Sequence, residues 1–207
     1  MYGRKLEQNI NRRHAYVLRH VNFEDYCRNE MNLQNQNCNP DRFHVIMTGW
    51  AGMEKTADAC REDADILKGR LSRYFLKEAA DLIDDMEHSE TLSDIIGSLC
   101  IDIRKAGDGG IFSSLWDVGA EYSCGIRAFL DKIPIKQITI EVCEILDINP
   151  YLAKAGGSLI AVTDKPDEVL KVLYEENVNA SDIGRLSDKP DRLVINGQEL
   201  RNLEPYI

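Results

Sequence analysis

The stretch SLIAVTDKPDEVLKVLYEEN, from Ser158 to Asn177, most narrows what this chain can become. Its first half is a run of apolar residues of strand length, which suits a strand covered on both faces. Its second half is a helix, with Pro166 near the first turn, where a missing N–H does no harm. A buried strand feeding a helix must be part of a layered domain. The same alternation recurs along the chain. FHVIMTGWAG (Phe43 to Gly52) reads as a strand closing in a turn. Met53, Ala57, Cys60, Ala64, Leu67 and Leu71 then fall at helical spacing, and Tyr74, Phe75, Ala79, Leu82, Ile83 and Met86 continue the pattern. Gly69 and Ser72 divide it into two helices that lay one face on a core. A third short helix is expected over Thr91 to Leu99, capped by Ser89 or Thr91.

CIDIRKA is the next strand, followed by a glycine loop and a helix from about Ile111 to Tyr122. A strand from Gly125 and a helix carrying Ile138, Val142, Ile145 and Leu146 come next. Asn196-Gly197, placed as a type I′ turn, is the strongest hairpin signal. The expected fold class is α/β, layered as α+β, with a mixed sheet and packed helices.

Charge divides the chain. Residues 1–42 hold seven Lys/Arg and five Asp/Glu, whereas the whole chain carries −10, which leaves −12 on residues 43–207. The acidic balance argues against a nucleic-acid binder. Residues 1–42 read as an N-terminal extension, partly helical over Lys5 to Val21 and a polar linker over Asn32 to Asp41. Residues 43–207 read as the domain. No run of sequence is apolar enough for a membrane span and no signal peptide opens the chain, so a cytoplasmic location is expected. Cys27, Cys38, Cys60, Cys100, Cys124 and Cys143 form no CxxC pair and no zinc spacing, and read as free thiols in a reducing compartment. His14, His20 and His44 have no ligand spacing and read as surface residues.

Four stretches, VIMTGWAGMEKTA, GDGGIFSSLWDVGAEYSCGI, VCEILDINPYLAKAGGSLIAVTD and IGRLSDKPDRLVINGQELRNLEP, lie in order between Phe43 and Pro205. Together they resemble the C-terminal domain of the aminoimidazole-ribonucleotide (AIR) synthetase superfamily, and within it the hydrogenase maturation factors that make cyanide ligands. The resemblance implies a fold of that kind and a tendency to pair as a homodimer or with another protein. The family's N-terminal, Mg-ATP-holding domain has no counterpart in residues 1–42. Nor does any cysteine follow Cys143 to match the family's terminal thiol. These departures point to a non-catalytic or accessory relative that binds a partner or an anion. The alternative is one half of a split ATP-dependent maturation enzyme completed by another chain.

The resemblance also gives the candidate site. Where the maturation factors have His-Asp-x-Thr-Glu-Gly-Gly, this chain has Arg104-Lys105-Ala106-Gly107-Asp108-Gly109-Gly110. Glycines before a helix can offer N–H groups to phosphate. Arg104, Lys105, Gly107, Asp108, Gly109 and Gly110 are therefore the candidate anion or nucleotide contacts. Asp108 opposes a bare phosphate unless a cation lies between. No catalytic residue, no metal site and no resident cofactor are expected, with weak Mg-ATP binding the most the loop would support. Gly156-Gly157-Ser158 precedes a strand and reads as tight packing. Asp81, Asp84 and Asp85 read as a solvated face, Ser113 and Ser114 lack a neighbouring His for nucleophilic work, and Trp116 reads as core.

Overall fold

The computed structural model describes residues 17–20, 39–62, 64–81 and 89–204. Its frame is an eight-stranded mixed sheet in the order β1-β3-β5-β2-β6-β4-β7-β8. The strands are β1 (Val17–His20), β2 (His44–Thr48), β3 (Asp102–Lys105), β4 (Gly125–Phe129), β5 (Leu159–Thr163), β6 (Ala180–Ser187), β7 (Arg192–Asn196) and β8 (Glu199–Asn202). Only β4 and β7 run parallel, and the other neighbours are antiparallel. The helices are α1 (Met53–Glu62), α2 (Ala64–Lys68), α3 (Arg73–Asp81), α4 (Ser89–Ile96), α5 (Gly110–Glu121), α6 (Gln137–Ile145) and α7 (Pro166–Glu175).

Strand alternation divides the core between the two faces. Val45, Met47, Ile126, Ala128, Ile160 and Val162 face α5, which supplies Ile111, Leu115 and Val118. Ile46, Ile103, Leu159 and Ala161 face the opposite way, onto Leu92 and Ile96 of α4 and Val169 and Leu173 of α7. Every residue of β5 is buried because helices cover both sides of it. A third cluster joins Met53 and Ala59 of α1, Leu67 of α2, Ala79 of α3, and Ile138 and Val142 of α6. Of the helical stripe beginning at Met53, Met53, Ala57, Leu67 and Ala79 are buried and Cys60, Leu71 and Phe75 pack on the core, whereas Tyr74 is 73% exposed; Leu82, Ile83 and Met86 and the side chain of Ala64 lie outside the described residues.

Three expectations need correction. Val17–His20 is a strand, not helix; it pairs with β3, matching Val17 with Arg104 and His20 with Asp102. The backbone groups of that sheet edge outweigh the helical spacing of Leu6, Ile10 and Val17. The hairpin exists, but its turn is shifted by one residue: Asn196 pairs with Glu199, so Gly197 and Gln198 are the central residues. Gly197 has φ +59 and Gln198 is not left-handed, which is the II′ pattern rather than I′. His44 is not a bare surface histidine, since its Nδ1 lies 2.6 Å from Asp182 Oδ2 in a half-buried pair. The rest of the Lys5–Val21 segment, most of the Asn32–Asp41 linker, His14, Cys27, Cys38, Asp84 and Asp85 lie outside the described residues, as does the side chain of Asp81.

Candidate functional site

The glycine loop joins β3, which runs inside the sheet, to the first turn of α5. Two amides at its end and in the first turn of α5 are turned to the protein's own carbonyls. Gly110 N donates to Gly107 O at 3.0 Å and closes the turn. Phe112 N, in the first turn of α5, donates to Tyr151 O at 3.1 Å. Gly110 has φ +66, and a Cβ there would lie 2.6 Å from both Tyr151 O and Ala153 O. Only glycine lets the helix start approach that backbone so closely. The incoming segment is itself fixed, with Asn149 Oδ1 accepting from Tyr151 N at 3.0 Å and Asn149 O accepting from Leu152 N at 3.1 Å. Stacking of Phe112 on Tyr151, 5.2 Å between centroids and 11° between planes, completes the joint. The carbonyl oxygens of Tyr151 and Ala153 therefore lie close against Gly110 at the start of the helix.

Charge at the loop's mouth is arranged around a lysine. Lys154 Nζ is 2.6 Å from Glu54 Oε1 and 3.7 Å from Asp108 Oδ1. Glu54, in the first turn of α1, also accepts from Gly156 N at 3.0 Å through Oε2. A Cβ at Gly156 would press on that carboxylate, the movable end of a flexible side chain, and Ser158 at the end of the turn is fully buried. Ser158 Oγ donates to Trp50 O at 3.0 Å, and Lys55 N donates to Lys154 O at 3.0 Å. The hydrogen bond to Glu54 raises the Lys154 pKa above its ordinary value; burial opposes this, and the charges of Glu54, Asp108 and Asp58 add to it. Two carboxylates and one ammonium leave the cluster net negative, which repels a bare anion.

The six candidate residues do not converge. Gly107, Asp108, Gly109 and Gly110 share the loop. Arg104 is 2% exposed, with its guanidinium paired to Asp102 and, at 2.7 Å, to Glu121 near the end of α5. Lys105, next along β3, sits on the Ile103 face that packs toward α4 and α7, because neighbours on a strand point to opposite sides. Burial, with the Asp102 and Glu121 carboxylates adding to it, drives the nearby Tyr122 phenol well above the usual range.

Glu54 and Lys154 were missed by sequence reasoning. They stand about a hundred positions apart with no motif to link them; the only local hint is Gly156, whose close packing is against Glu54 itself. Ser114 Oγ donates to Gly110 O at 2.9 Å, a helix back-bond rather than a nucleophile's setting. Trp116 packs on the core with the Arg192 guanidinium 4.3 Å over its ring. Cys60, Cys100, Cys124 and Cys143 are free thiols. Among the described residues no group of His, Cys, Asp or Glu is placed to hold a metal ion, and no helix is long and apolar enough to cross a membrane. At the helix start the amides of Gly110 and Phe112 donate to internal carbonyls, and Arg104 is held by Asp102 and Glu121, so these three groups are not open to a phosphate.

No family model matches the chain. The fold is that of the AIR synthase-related proteins, and the solved structures it resembles include hydrogenase maturation protein HypE. Escherichia coli HypE superposes with a TM-score of 0.66 at 18% identity, over 82% of this chain and 51% of that one. A chain of the HypE–HypF complex superposes with a TM-score of 0.61 at 17% identity, over 82% of this chain and 54% of that one. In sequence, the phosphoribosylformylglycinamidine synthase subunit PurL of Carboxydothermus hydrogenoformans is 26% identical over 90 residues, 42% of this chain and 12% of that protein. The chain thus spans about half the length of the HypE structures it matches.

Proposed function

We propose that this protein is a non-catalytic relative of the AIR synthase-related domains that works by binding a protein partner. One observation carries the non-catalytic part of the reading: the carbonyls of Tyr151 and Ala153 lie against Gly110 at the start of α5, and Lys154 is held between Glu54 and Asp108 at its mouth. The glycines there serve as a joint between two segments. That HypE is found in complex with HypF supports protein recognition as a use to which this fold is put. The competing reading is half of an ATP-dependent enzyme. A phosphate-release assay with millimolar Mg-ATP, run on the full chain alone and mixed with a separately encoded ATP-binding half, separates the two. Background release is expected. Turnover that disappears in Asp108→Ala would overturn the proposal in favour of the enzyme.

A further inference from the structure

The far edge of the sheet carries a pattern that complements itself. Among the described residues β8 pairs only with β7, and its four residues are all exposed. Leu203 N, just beyond it, donates to Arg192 O at 2.9 Å, so residue 203 turns its main chain toward β7. Antiparallel alternation then turns Arg201 and Glu199 inward as well, and leaves the N–H and C=O of Leu200 facing outward. Leu200 is 64% exposed on that open edge. Its cross-strand neighbour is Ile195, and Leu193 lies on the same face of β7. Glu199 and Arg201 flank Leu200, share the opposite face and pair with each other at 2.9 Å.

A strand edge normally resists pairing through charge. Here the charges do the reverse in one register. If two β8 strands meet antiparallel about a two-fold axis at Leu200, the two Leu200 residues exchange a reciprocal pair of main-chain hydrogen bonds. Glu199 of each copy then faces Arg201 of the other, twice, on one side of the joined sheet. On the other side Ile195 and Leu200 of one copy continue into Leu200 and Ile195 of the second. Shifting the register by two residues either way breaks the charge match, so the sequence selects a single alignment. We propose that β8 is a homodimerisation edge, and that its partner is a second copy of this chain joined to it across Leu200. The joined sheet would have sixteen strands, two copies of the eight in each chain.

Such an edge is short, so the dimer should be weak and concentration-dependent. Sedimentation equilibrium on the full chain, from about 10 μM to about 1 mM, reads the dissociation constant over the range expected of a weak contact. Glu199→Arg and Arg201→Glu alone each place like charges opposite one another and should weaken the dimer at least tenfold. Mixed in equal amounts, the two variants restore both opposite-charge pairs and should recover association to within a few-fold of the native protein. Leu200→Pro removes the outward N–H at an edge position where proline is tolerated, and should abolish the dimer with little change in melting temperature. Recovery in the mixture excludes misfolding as the cause of the single-variant losses. A chain that stays monomeric at the highest concentration overturns the proposal. So does a dimer unchanged by all three variants, or a mixture that fails to recover.

Discussion

Gly110 separates a structural joint from an open phosphate loop in a single pair of substitutions. In Gly110→Ala two penalties act together. Holding alanine at φ +66 costs about 1–2 kcal/mol. The added Cβ sits 2.6 Å from two main-chain oxygens, which belong to a fixed turn and cannot swing aside like a flexible side chain. Overpacking of that kind costs about 1–3 kcal/mol more. The sum is about 2–5 kcal/mol, or on the order of 10 °C in Tm for a chain of this size. Gly197→Ala is the internal control. Gly197 has φ +59, close to the φ of Gly110, and nothing within 4 Å of its would-be Cβ. It should lose only the conformational part, about 1–2 kcal/mol. Urea unfolding followed by circular dichroism gives both values from midpoints at a common m-value. Equal losses at the two glycines would refute the packed joint, because an open loop charges only for the backbone.

Arg104→Met leaves the buried Asp102 carboxylate without its guanidinium and should destabilise the fold by about 3–5 kcal/mol in urea titration, without altering nucleotide affinity. Lys154→Met should lower stability between neutral pH and the ordinary lysine range; because the folded-state pKa is raised, the native pair contributes fully below the unfolded value and is lost as pH rises through the folded one, so the gap between native and variant should close at higher pH. Burial pushes the Cys143 thiol up to about 11, so native protein at pH 8 should label there far more slowly than unfolded protein, read residue by residue by mass spectrometry.

The sequence showed the layers more clearly than the site. Strand β5 and helix α7 were legible because a continuous apolar run and a proline-started helix are local signals. The stripe from Met53 was legible because helical spacing survives whatever it packs against. β1 was not, since whether Val17–His20 is strand depends on the free edge of β3, which lies about 85 residues further on. The hairpin was legible from Gly197 but its register was not, because the pairing of Asn196 with Glu199 is settled by the rest of β7. At the site, the glycines were visible while their purpose was not. The reason for Gly110 is Tyr151 and Ala153, and the partner of Asp108 is Lys154, all some forty residues away. Arg104 looked available for an anion because it stands beside the loop in sequence; strand alternation turns it to Asp102 and Glu121 instead.

Isothermal titration of Mg-ATP into the full chain tests the closed loop most directly. Internal carbonyls at the helix start and a net-negative mouth should hold the dissociation constant above about 1 mM, so no saturable heat is expected at micromolar nucleotide. Saturation in the micromolar range, lost in Asp108→Ala, would contradict a structural joint and show a working nucleotide site.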